Sequence, residues 1–279
     1  MKLINELVTP FNNKQEIDIE MFNKLIDISL QSKNDYQLLF SNIGDGLLLS
    51  LEEKIALIKS IKKENISKVI YYLQLINDDL DNKTISFLEK SDIEYIFITP
   101  PYGYLYGQNG LFLYIKNIIK RLKNKKIILH NTPLTTSVNF HFQTLKKLIK
   151  ISPNLIGLYE NGIDYSLIRL LKINFPTFKI FVNESLIEYS LDNSLDGLVS
   201  SNSLLFGLDY ISIFEDYKTK FKDVLLINYL IYVHEILSFC NNSTLIKAYL
   251  RKIGYSSMEV RLPLVIDLED EENLDFLLS

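Results

Sequence analysis

Asn154-Leu155-Ile156-Gly157-Leu158-Tyr159-Glu160-Asn161 is an apolar run that turns polar at its end. A run this short, aliphatic and closing on Glu160 and Asn161, reads as a buried strand whose far end opens to solvent. In a barrel of parallel strands that end carries the working side chains, which makes Tyr159 the residue to explain.

Runs of the same kind recur about eight times along the chain, separated by amphipathic helical patterns. The predicted strands are 4–10, 37–42, 69–74, 95–99, 126–131, 155–159, 179–183 and 197–201. Most are continuously apolar, as parallel strands covered on both faces are. Helical patterns cover 18–31, 51–63, 79–90, 111–124, 142–151 and 165–174. The second of these opens Ser50-Leu51-Glu52-Glu53, a capping box in which hydroxyl and carboxylate each satisfy an orphaned backbone donor. Alternation at this count implies an α/β fold, either a (β/α)8 TIM barrel or a doubly wound sheet. No Gly-rich phosphate loop follows the first strand, which disfavours the nucleotide-binding form. Three further helical patterns, 211–220, 225–239 and 244–253, follow the last strand. The expected organisation is a barrel over residues 1–207 with a C-terminal helical extension over 208–279, packed together as one unit.

Composition narrows the function classes. With 279 residues, 47% hydrophobic and 23% charged, the chain can bury a large core. A net charge of -4 and scattered lysines give no basic stripe, so nucleic acid is not an expected partner. The N-terminus has no signal-peptide pattern, and the apolar stretch 223–240 is broken by Asn228, His234 and Glu235. A cytoplasmic protein with no membrane partner is expected. The single cysteine, Cys240, forms no intrachain disulfide and reads as a small core hydrophobe.

Ordered motifs along nearly the whole chain resemble one family. Val8-Thr9-Pro10-Phe11, Ser41-Asn42-Ile43-Gly44-Asp45, Thr99-Pro100-Pro101-Tyr102, His130-Asn131-Thr132-Pro133, Asn154-Leu155-Ile156-Gly157, Ile246-Lys247-Ala248 and Glu259-Val260-Arg261-Leu262-Pro263-Leu264-Val265 carry the likeness. Together they are similar to the dihydrodipicolinate synthase and N-acetylneuraminate lyase family of pyruvate-dependent aldolases. The resemblance implies a TIM barrel and a covalent chemistry. A lysine amine at the end of the sixth strand attacks a keto acid, and the iminium acts as an electron sink.

At that lysine position stands Tyr159, whose phenol forms no imine. The other working positions implied by the resemblance differ as well. Asn42 stands for the relay threonine, Gly103 and His130 for the two relay tyrosines, and Thr135 for the arginine that receives a carboxylate. Tyr102 or Tyr104 could replace the lost tyrosine one residue away. Lys126 and Lys179 fall at strand starts, the wrong end of a parallel barrel.

The candidate ligand-binding residues are therefore Asn42, Ile43, Asp45, Tyr102, His130, Thr135, Tyr159, Asn183 and Ser201, with no confident catalytic residue. His130 reads either as a base titrating near neutrality or as a hydrogen-bonded structural histidine. Asp45, Glu160, Glu184 and His130 could surround a divalent ion, but they come from four loops without ligand spacing, so no metal and no cofactor is expected. His141 and His234 read as surface or packing residues of helices. The run Tyr102, Tyr104, Tyr106, Phe112 and Tyr114 reads either as ordinary core or as the subunit contact the resemblance implies, in a homo-oligomer expected to be a dimer or tetramer.

The expected function is that of a family-like barrel without Schiff-base aldolase activity, binding a small carboxylate, a keto acid or a partner subunit. Two alternatives stay open: a lyase using non-lysine acid/base or metal chemistry, and an assembly subunit for an active paralogue.

Overall fold

A computed structural model of the chain describes residues 1–238, 243–267 and Leu274. Eight parallel strands pair in chain order: β1 (Lys2–Leu7), β2 (Tyr36–Leu39), β3 (Val69–Leu73), β4 (Tyr95–Ile98), β5 (Lys126–Asn131), β6 (Leu155–Glu160), β7 (Lys179–Asn183) and β8 (Gly197–Ser200). β8 pairs back onto β1, Leu3 beside Leu198, and closes the barrel. Between strands lie α1 (Ile19–Gln31), α2 (Leu51–Ser60), α3 (Asp78–Lys90), α4 (Gln108–Arg121), α5 (Pro133–Thr136), α6 (Phe142–Ile151), α7 (Tyr165–Asn174) and α8 (Ile187–Asp192). After the barrel come α9 (Ser203–Lys218), α10 (Val224–Leu237) and α11 (Thr244–Lys252). The architecture is the expected α/β class, a (β/α)8 TIM barrel with C-terminal helices.

Local chemistry explains the element boundaries. Asp18 caps α1 by accepting from the Met21 amide at 2.8 Å, and the Ser50/Glu53 capping box closes in both directions at the start of α2. β2 stops at Leu39, short of the expected residue 42, because Phe40 takes a left-handed φ of 68° and leaves the extended path. α8 and α5 escaped the sequence reading, since six and four residues are too few to show a helical period. α9 begins well ahead of the expected residue 211 and bends at Phe206, whose ψ is 19°. Phe239 and Cys240 lie outside the described residues, so the expected end of the second C-terminal helix and the core role of the cysteine do too. No described helix is long and apolar enough to cross a membrane.

The apolar residues separate into two cores. The outer one lies between strands and helices, and the inner one fills the barrel with Ile4, Leu38, Ile70, Tyr72, Phe97, Ile128, Tyr159, Phe181 and Val199. Strand alternation produces this division, because neighbouring side chains on a strand point to opposite faces.

A buried ion pair ties the C-terminal helices to the barrel. Lys247 of α11, with no exposed side-chain surface, lies 2.8 Å from Asp45 in the loop after β2. Its Nζ also donates to the Glu259 carbonyl at 3.0 Å and sits 4.2 Å from the centre of the Phe11 ring. Arg261 stacks on the same ring at 4.3 Å and bonds the Glu53 carboxylate at 2.6 Å. The loop can carry Asp45 inward because Gly46 follows it: a Cβ at Gly46 would lie 1.8 Å from the Phe40 carbonyl.

Removing one member of a buried pair strands the other charge. Lys247→Ala is therefore expected to lower unfolding stability by about 3–5 kcal/mol. Pairing it with Asp45→Asn should recover part of that loss in urea titration, because no unpaired carboxylate then remains.

Candidate functional site at the barrel mouth

The C-terminal ends of the strands form a cup whose floor is a stack of rings. β5 and β6 are in register with His130 beside Tyr159, and both side chains turn inward. Their rings stack at 4.2 Å with an interplanar angle of 17°, and Phe97 closes the other side at 6.0 Å. Tyr159 is 2% exposed and His130 5%. On its other side β6 approaches β7 closely at Gly157, where a Cβ would meet the Lys179 carbonyl at 2.7 Å.

His130 is not a base near neutrality. Burial pushes its imidazole down to about 3, so the ring is neutral, with Nδ1 bonded to the Tyr72 hydroxyl at 2.7 Å. The hydrogen bond to Tyr72 and the stacking on Tyr159 favour the structural role for this histidine over that of a titrating base.

The mouth carboxylates Asp45, Glu160 and Glu184 are individually partnered. Asp45 is taken by Lys247. Glu160, the residue after Tyr159, accepts from Asn131 at 2.8 Å and from the Gly162 amide at 2.6 Å, and burial pushes it up to about 7. Glu184, 1% exposed, lies 3.1 Å from His234 on α10 and accepts from the Ser201 amide at 2.6 Å. Burial alone would raise the Glu184 carboxyl, but His234 outweighs it and holds the carboxyl below its usual range. Likewise burial would lower His234, and Glu184 raises it above its ordinary value. His234 is thus a half-buried partner of the mouth carboxylate Glu184, not the packing residue expected. Among the described residues no group of three His, Cys, Asp or Glu side chains could hold a metal ion.

Glu6 was missed by the sequence reading. It stands on β1 two residues past Ile4 of the inner core, so it points the same way, one layer nearer the mouth. Its side chain is half-buried. Desolvation, then the nearby Glu184 charge, push its carboxyl up to about 7. The signal was present in the alternation Ile4, Glu6, but reading it required knowing which face of β1 lies inside.

The remaining candidates divide. Asn42 is half-buried and accepts from Gln74 at 3.0 Å. The Tyr102 hydroxyl lies beside the side chains of Tyr72, Gln74, Thr99 and Thr135 without closing a hydrogen bond to any of them. The Thr135 hydroxyl pairs with Thr132 at 2.8 Å, and Asn183 donates to Asn161 at 2.6 Å. Ser201 bonds Glu184 and Ser238. Ile43 is packed in the outer core, Asp45 is held in the clasp, and Gly103 has open space around it at φ +89°. Those three are not brought into the cup with Tyr159.

A model of the dihydrodipicolinate synthetase family matches residues 1–277. The chain belongs to this family. It is 28% identical to the 4-hydroxy-tetrahydrodipicolinate synthase of Karelsulcia muelleri over 95% of the chain and 93% of that protein. It is 26% identical to the synthase of that name from Bacillus subtilis, over 95% and 93%. The dihydrodipicolinate synthase structure from Thermotoga maritima superposes with a TM-score of 0.89 at 23% identity, covering 99% of this chain and 97% of that one. A monomeric dihydrodipicolinate synthase variant also superposes at 0.89, with 23% identity, over 99% and 95%. Within this family fold, the barrel frames a cup whose floor is aromatic.

Glu6 gives the cup a pH signature. A carboxyl raised in the folded state favours the protonated form, so folding stability falls as pH rises from about 4.5 through about 7. Glu6→Gln removes the ionisation. The variant is expected to melt like the wild type at pH 5 and to be more stable at pH 8, by on the order of 1–3 kcal/mol. Paired melting curves across that range check the sign.

Proposed function

We propose that this family member keeps the barrel and its mouth as a small-ligand site but does not perform the Schiff-base aldolase step. The carrying observation is Tyr159 near the end of β6, stacked on His130 and tilted against Phe97. A phenol has no nitrogen to condense with a ketone, and its ring fills the space in which a reacting carbon would sit.

The lysines support this reading. Lys126 and Lys179 begin β5 and β7, at the opposite end of the barrel, and both are exposed. The Lys247 amine is enclosed by Asp45, the Glu259 carbonyl and the Phe11 ring of the outer core. Thr135, at the position of the carboxylate-binding arginine, supplies no charge. A neutral His130 weakens the alternative of lyase chemistry through a histidine base.

Exposed Tyr104 and Leu105, 78% and 82%, lie in the loop after β4 and support pairing of subunits at this rim. The same reading takes the protein to be cytoplasmic.

The test is incubation with pyruvate and borohydride followed by intact-mass measurement, with the Bacillus subtilis synthase as positive control. The expected result is an unmodified chain beside a labelled control. A stoichiometric adduct on this chain would overturn the reading.

A further inference from the structure

Among the described residues Glu6 has no ion-pair partner of its own, and the one cation acting on it, His234, is shared with Glu184. Glu6 faces Glu184, His234, the Ser41 hydroxyl and the phenols of Tyr72 and Tyr159. Of these only His234 is basic, and it is bonded to Glu184 at 3.1 Å. An ionised Glu6 therefore adds one negative charge to a cup in which no lysine or arginine acts on it. Two further observations, independent of the acids, point to a ligand. Tyr159 is 2% exposed, faces the mouth acids, and its hydroxyl has no hydrogen-bond partner among the described residues. The Asn183 Oδ1 is buried without a partner while its amide nitrogen donates to Asn161.

We propose that the mouth binds a small primary ammonium ion, seated on the Glu6 carboxylate with the Tyr159 hydroxyl and the Asn183 carbonyl oxygen as further acceptors, and that it excludes small carboxylates. This rests on the reading that position 159 forms no imine. An alkylammonium is a compact cation with three N–H donors, which suits three oxygen acceptors. A divalent metal suits them poorly: it needs six or so oxygen ligands, including more than one free carboxylate. Here Glu184 and Glu160 are already engaged. The ring floor makes the cup shallow and limits the ligand to a short chain.

The linkage has a definite sign. Glu6 is held partly protonated near neutrality, so a bound cation displaces a proton, and affinity rises with pH through about 7. Carboxylates meet the opposite field at every pH at which Glu6 is ionised.

The experiment is calorimetric titration of the full chain with ethylammonium chloride, and with sodium propionate of similar size, at pH 8 and pH 5.5. Saturable ethylammonium binding is expected at pH 8, weaker by about tenfold or more at pH 5.5 and in Glu6→Gln at pH 8. Glu6→Gln must still melt cooperatively, and Tyr159→Phe, which keeps the ring floor, serves as a second variant with a smaller expected loss. Absence of saturable ethylammonium binding at pH 8, unchanged binding in Glu6→Gln, or equal binding of propionate overturns the proposal. Pyruvate and borohydride treatment of the same preparation separates the two readings. An adduct removes the loss of imine chemistry, whereas an adduct-free chain that ignores ethylammonium removes only the ammonium site.

Discussion

A closed barrel of parallel strands must fill its own interior, and here the uppermost filled layer is the stacked pair Tyr159 and His130. The register that sets β6 beside β5 brings these two residues level, and a close-packed interior leaves no room for a void beneath them. One contact thus fixes several properties. It makes the imidazole neutral by removing water, turns the Tyr72 hydroxyl toward Nδ1, and raises the floor of the cup. The mouth above combines the half-buried Glu6, Asn42 and Tyr102 with the buried Glu184.

The fold was largely legible in the sequence because parallel strands covered on both faces leave unbroken apolar runs. β5 and β7 were read to the residue at both ends, since each starts at a lysine and closes on an asparagine. Where the reading slipped, the cause was local backbone geometry or shortness. Phe40 ends β2 through a left-handed φ that side-chain hydropathy does not report, and the six residues of α8 show no period. The site was legible only in part. Tyr159 and His130 stood out against the family motifs, but inward and outward positions of β1 became distinguishable only once Ile4 was seen in the inner core. The partnership of Glu184 with His234 joins β7's loop to α10 and has no sequence spacing to reveal it.

The C-terminal motif has a physical meaning that differs from its use as a signature. Lys247, Glu259 and Arg261 all converge on Asp45, Phe11 and Glu53, so the motif residues build the seam between helices and barrel. Such a seam is needed whatever reaction the mouth performs. Both flat faces of Phe11 are available to cations, and a buried cation is tolerated when a carboxylate and a carbonyl share its donors. Motif similarity here therefore tracks the scaffold, while chemistry is set by a separate group of strand ends.

Those strand ends point to an electrostatic argument that goes beyond the single missing amine. An imine-forming lysine must be unprotonated when it attacks, and an apolar or cationic neighbourhood favours that form. Glu6 and Glu184 both act on the group at position 159. A lysine placed there would find an acid partner in Glu6 and be held as an ammonium ion, a poor nucleophile. The tyrosine and the glutamate are in this sense mutually consistent. A phenol tolerates nearby carboxylates by staying protonated, which burial enforces, and its hydroxyl leaves the carboxylate free for a cation arriving from solvent. On the reading proposed above, the field of Glu6 and Glu184 at position 159 disfavours keto-acid condensation and favours a positively charged ligand.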